Sequence, residues 1–328
     1  MKKLLLAALC IGALCVSCND DDERIDFVDK NYGAKQFIED TRSSIKEVNK
    51  LNTADLPKTI TLEGGVTIEI PQDAFTKGGT PITGEFTVES YVVLKPSNAI
   101  FSGTNTNYSG GRILESDGYI YLDVKQNGVS VDQNTNSLLS VSIPTNKEAG
   151  TVTELWIGDE NSGQGEDQFA WNDFNQEVAN WDQGRWVEAG KDGKFSFLLG
   201  KLGWINCDIF WGEDKEMTTL TAKLSGEVGK LASFMGYEGD TFVFFCAKNA
   251  FALAQLYTVV DNTTVKSYDD SMPIGLEGKL VAFSIKEGIF SYAAKDITIE
   301  KDMVVDLKLE KVTKETLQQN IKALDTYK

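Results

Sequence analysis

The stretch TITLEGGVTIEI, residues 59–70, decides the fold class. Ile60 and Leu62 alternate with polar residues, and Val66, Ile68 and Ile70 do the same after Gly64-Gly65. A strand turns successive side chains to opposite faces, so a period of two marks a strand with one buried face. The two glycines supply the positive φ that a two-residue hairpin connection demands. The stretch therefore predicts a β-hairpin. The pattern recurs in EFTVESYVVL (85–94), YIYLDVKQNGVSV (119–131) and LLSVSI (138–143), with Asn127-Gly128 marking a second hairpin. Together these predict a β-sandwich over residues 57–145.

Outward from this core the chain is mainly β. TTLTAKLSGEV (218–228), TFVFFCA (241–247), KLVAFSI (279–285) and MVVDLKL (303–309) alternate as strands and predict a second β-sandwich over 216–312, of transthyretin-like or immunoglobulin-like type. Short helices are expected near each end. Residues 34–56 form the first, on a stripe of Phe37, Ile38, Ile45, Val48 and Leu51. Residues 313–328 form the second, with Thr313 as N-cap and Leu317, Ile321 and Leu324 on one face. Residues 146–215 read as a separate Trp-rich β region, since all six tryptophans fall between Trp156 and Trp211.

The chain opens MKKLLLAALCIGALCV. Lys2 and Lys3 precede an apolar run from Leu4 to Val16, the length of a signal-peptide core and too short to span a bilayer. Ser17 and Cys18 follow. This resembles a bacterial lipoprotein signal, which implies removal of residues 1–17 and lipidation of Cys18. Cys15 stands where that signal usually has leucine. Asn19, Asp20, Asp21, Asp22 and Glu23 come next, and like charges in a row hold a segment extended. The run resembles the acidic export signal of surface-exposed lipoproteins of Bacteroidetes. Residues 18–33 then form a lipidated, acidic tether, with a lipid-anchored outer-membrane location and cell-surface exposure as the expectation.

GVTIEIPQDAFTKGGTPITGEFTVE, residues 65–89, is similar to the opening of ZU5-like β-sandwich domains, in a strand ending Ile-Pro and a short turn to Ala-Phe. Those domains commonly have glycine before that alanine, where Asp73 stands here. The resemblance implies protein–protein contact rather than catalysis.

Composition narrows the chemistry. The net charge is −17, and loss of Lys2 and Lys3 makes it −19. Nucleic acid is not an expected partner, because phosphate binding needs clustered Lys and Arg. Histidine is absent, which removes Ser-His-Asp and Cys-His catalysis and the usual zinc sites. No cofactor is expected beyond the lipid on Cys18. Cys207 and Cys246 each share a strand face with apolar residues, and are either buried thiols or one disulfide. DENSGQGEDQ, 159–168, gives Asp159, Asn161 and Asp167 partial calcium-ligand spacing, but Gly163 and Gln164 break the EF-hand pattern.

The remaining lead is Trp171, Trp181 and Trp186 among Asn172, Asp173, Asn175, Gln176, Asn180, Asp182 and Gln183. Indole faces stack on sugar rings while carboxylates and amides bond hydroxyls. The same tryptophans could instead fill a core. The first expectation is a non-enzymatic surface lipoprotein that binds a protein or glycan. Its rivals are a glycan-uptake accessory or carbohydrate-active enzyme, and a structural subunit of a fimbrial or envelope complex.

Overall fold

The computed structural model describes residues 29–159, 169–174, 185–212, 214–231 and 239–327. The protein is mainly β. In the N-terminal sandwich, a short sheet runs Lys194–Leu199, Leu139–Pro144, Thr67–Ile70, Lys58–Thr61, all antiparallel. A long sheet runs Lys46–Asn52, Glu85–Val93, Leu114–Gln126, Gly203–Phe210, Val152–Asp159. Ala170–Asp173 and Trp186–Glu188 both pair with that last strand, end to end. Ile68, Val141, Phe195 and Phe197 from the short sheet meet Val88, Ile120, Leu122 and Ile205 from the long one in a single core.

The opening stretch forms its hairpin, Thr61 opposite Thr67. The connection is wider than two residues. Leu62 N–H bonds to Val66 C=O at 2.8 Å around a turn with Gly64 and Gly65 at φ 67° and 83°. Asn127-Gly128 does make a two-residue turn, between Gln126 and Val129. Asp73 takes φ 57°, a left-handed conformation that Asp tolerates better than most residues.

Three expectations about boundaries change. The first helix, α1, spans only Ala34–Ser44, not 34–56. Lys46–Asn52 is a strand paired along its length with Glu85–Val93, from Lys46 opposite Tyr91 to Asn52 opposite Glu85. Seven residues of sheet pairing outweigh a weak helical stripe. Residues 146–215 are also not a separate region. Their strands supply the centre and one edge of the long sheet and an edge of the short one, so the first sandwich runs on past 145 to Phe210. A further short helix, α2 (Pro96–Ser102), follows strand Glu85–Val93.

The C-terminal half holds the second β-rich unit. Its strands follow one another as Leu253–Gln255, Thr241–Ala247, Glu277–Lys286, Ile289–Thr298, Val304–Val312, Thr221–Gly226, Thr264–Lys266 and Thr258–Asp261. Val304–Val312 changes partners part-way. Residues 310–312 pair with 290–292, whereas 304–309 run parallel to 221–226. The sheet splits there, and Val243, Phe245, Leu280, Ala222, Leu224, Val305 and Leu307 share one core. The C-terminal helix α3 (Lys314–Lys322) starts as expected, with Thr313 Oγ1 accepting from Thr316 N–H at 3.1 Å.

The two halves share a third, aromatic core. Thr241–Ala247 is buried on both faces: Val243 and Phe245 point into their own half, Phe242, Phe244 and Cys246 into the shared core. Tyr119, Trp156, Trp171 and Trp204 enter it from the outer face of the long sheet. Phe37 of α1, Phe101 of α2 and Leu317 and Ile321 of α3 close its side. Buried polar residues stitch the same seam. Asn107 Nδ2 donates to Gln255 C=O at 3.0 Å while its Oδ1 accepts Gln255 N–H at 2.8 Å, copying a strand pairing.

Candidate functional site

The outer face of the long sheet carries the candidate residues in cross-strand rows. In one row Trp186 opposes Glu154, Glu154 opposes Asp208, and Asp208 opposes Ser116. In the next, Asp173 opposes Trp156, Trp156 opposes Asn206, and Asn206 opposes Tyr119. In the third, Trp171 opposes Gly158, which opposes Trp204, then Tyr121, then Tyr91. The rows lead from strand Leu114–Gln126 to the edge strands Ala170–Asp173 and Trp186–Glu188, where Trp171 is buried while Asp173 and Trp186 are exposed.

The three tryptophans singled out by sequence separate. Trp171 is fully buried, and its indole N–H donates to Asn105 C=O at 2.7 Å. It packs edge-on against Tyr119 and Phe169, so its ring is core and cannot meet a glycan. Gly158 leaves the gap that lets it fit, for a Cβ there would sit 2.6 Å from Trp204 Cβ and 2.9 Å from Trp171 and Phe169. Trp186 is 53% exposed, the one exposed tryptophan among the described residues. Trp181 lies outside the described residues, as do Cys18, Asn19, the acids Asp20–Glu23 and most of the 159–168 loop.

At the rim a strip of side chains links Trp186 to the Tyr108 turn. The Arg185 guanidinium stacks on the Trp186 ring at 5.1 Å and pairs with Glu154 at 3.2 Å and Asp173 at 3.8 Å. Asp173, 56% exposed at its side chain, accepts from the Tyr108 hydroxyl at 3.2 Å. Tyr108 packs edge-on against Phe210 at 5.2 Å, and Arg112 covers Phe210 at 4.4 Å. Burial is the largest cause raising the Tyr108 hydroxyl pKa, with the Asp173 carboxylate adding to it. Composition flagged Trp186 and Asp173. Tyr108 and Arg112 carried no local signal, because long-range contacts bring them there; Arg185 stands beside Trp186 in the chain and was overlooked.

Inward from the strip lies a cluster of acids at a β-bulge, where Asp117 and Gly118 together oppose Cys207. Asp208 is fully buried. One of its carboxylate oxygens takes the Asn206 amide, and the other has no hydrogen-bond partner. Burial holds its carboxyl far above the usual range, against the pull of Ser116, with Asp117 adding to the rise. Asp117 is pushed up to about 6, chiefly by burial. Lys147 lies 3.0 Å from Glu115 and 3.8 Å from Asp117. Its ammonium pairs with both carboxylates, and the three side chains form an ion cluster.

Cys207 and Cys246 are free thiols. Cys207 sits in the N-terminal sandwich core and Cys246 in the shared aromatic core, on different layers, which corrects the disulfide alternative. Burial raises both thiols, Cys246 to about 12. Among the described residues, no group of three or more Cys, Asp or Glu side chains is placed to hold a metal ion.

Compared with protein-family models, with curated proteins and with solved structures, the chain matches none.

Proposed function

We propose that the protein is a non-enzymatic binding module, held by lipid on Cys18 at the outer-membrane surface. The observation that carries the binding reading is the rim strip from Arg112 to Trp186, where an exposed indole, an exposed carboxylate and a guanidinium stand together on paired strands. Side chains fixed on strands lose little entropy when they meet a ligand. Against a catalytic reading, Lys147 pairs with both Glu115 and Asp117, and Asp208 is fully buried.

The anchor rests on the start of the chain. Each buried CH₂ contributes about 0.8 kcal/mol, so two or three acyl chains hold essentially permanently. Ten residues lie between Cys18 and Asp29, eleven steps along the chain with a reach of about 40 Å at full extension. The folded body begins close behind, where Lys314 donates to the Tyr32 hydroxyl and that hydroxyl donates to Asp40, each at 2.7 Å. Membrane fractionation tests the proposal. The wild type is expected in the outer membrane and open to protease on intact cells, and Cys18→Ala is expected to be released. A Cys18→Ala protein that still sediments with the outer membrane refutes it.

A further inference from the structure

We propose that the Arg112–Trp186 strip is a binding site for a neutral pyranose glycan, a ligand class that rests on the binding reading above. The argument begins with the exposed indole. Trp186 keeps 53% of its surface in water although Arg185 stacks on it. An exposed ring fixed by a guanidinium is a preformed apolar plate. A pyranose presents a matching face of C–H groups, ringed by hydroxyls that need donors and acceptors near the plate's edge.

The strip supplies both. Asp173 is next along the rim, more than half exposed, and a carboxylate is an acceptor with room for two hydroxyls. Arg185 brings a planar fork of N–H donors, and the Tyr108 hydroxyl sits 3.2 Å from Asp173. A purely apolar ligand would strip water from the Arg185–Asp173 pair and offer nothing to its remaining donors and acceptors, which is costly.

Charge selects between kinds of glycan. Arg112 and Arg185 are balanced by Glu154 and Asp173, so the strip has no formal excess of either sign. The whole chain carries −17. A uronate or sulfated polymer gains no local attraction and meets a repulsive field. A neutral polyhydroxyl ligand meets neither penalty.

Calorimetric titration of the full mature chain tests this. The probes are neutral gluco-, manno-, galacto- and xylo-configured tetra- to hexasaccharides, with oligogalacturonates as the charged arm. At least one neutral series is expected to bind. Trp186→Ala and Asp173→Asn should each weaken it about tenfold or more, while Val304→Ala, an exposed site in the other half, leaves it unchanged. If Trp186→Ala lowers the melting temperature, Asp173→Asn, which keeps the side chain's size and shape, carries the test. The proposal is overturned by no binding across the neutral panel, by both variants binding as the wild type does, or by tighter binding of the oligogalacturonates. Each of those results leaves the anchored-module reading in place, because Cys18→Ala fractionation judges that separately.

Discussion

Replacing Asp117 by Asn should change how the stability of the protein depends on pH. Asp117 lies at the bulge beside buried Asp208, with Lys147 and Glu115 as charged neighbours, and its side chain is 9% exposed. Burial raises its pKa from 3.8 to about 6. A raised carboxyl pKa means that the folded state keeps the proton longer than the unfolded chain does. The associated stability is complete below the ordinary carboxylate pKa and is lost as pH rises through about 6. Across that window the linkage amounts to about 3 kcal/mol at most, and partial hydration at the rim brings the expected figure to about 1–3 kcal/mol. Asn cannot ionise and loses nothing there. Urea unfolding from pH 4 to pH 7 should therefore show Asp117→Asn gaining on the wild type by that amount up to about pH 6, then running parallel. Asp208 is common to both proteins and largely cancels. A stability difference that is flat with pH, or that falls as pH rises, refutes the assignment of a raised Asp117 pKa.

Asn107→Ala strands the N–H and C=O of Gln255 at a buried seam, which should cost about 2–4 kcal/mol in urea unfolding; a loss below about 1 kcal/mol would mean the seam relaxes around the gap. Cys207 and Cys246 should resist a maleimide at pH 8 in the folded chain from Asn19 onward. Both should label once it is unfolded, and a result of no labelling under non-reducing denaturation would indicate a disulfide.

Local pattern made much of the fold legible. Alternation of Ile60, Ile68 and Ile70 gave the hairpin, and Thr313 with Leu317 and Ile321 gave the last helix, because each signal is complete within a dozen residues. Val48 and Leu51 misled because a spacing of three suits a helical stripe; in the strand they face opposite ways, Val48 exposed and Leu51 buried, and only the partner strand Glu85–Val93 reveals this. The middle region looked separate because tryptophan is concentrated there. Three of them, Trp156, Trp171 and Trp204, lie on the outer face of the long sheet where it is buried against the other half, so there the compositional break marked an interface rather than a boundary. Trp171 and Trp186 stand fifteen residues apart and pair with the same strand, but Trp171 opposes Gly158, whose missing side chain leaves room for it in the aromatic core, whereas Trp186 opposes Glu154 and stays exposed. The strip was half legible, since Trp186 and Asp173 were visible and Tyr108 and Arg112 were not.

The clamp between Tyr32 and Lys314 joins residues 282 positions apart, and α1 and α3 cover one side of the aromatic core together. A chain emerging from the ribosome has made α1 and most of the long sheet long before α3 exists. Until then Phe37, Phe283 and their neighbours have no lid. Contacts at so great a sequence separation form slowly. A chain that still lacks α3 therefore leaves that side of the aromatic core uncovered, an apolar face prone to aggregation.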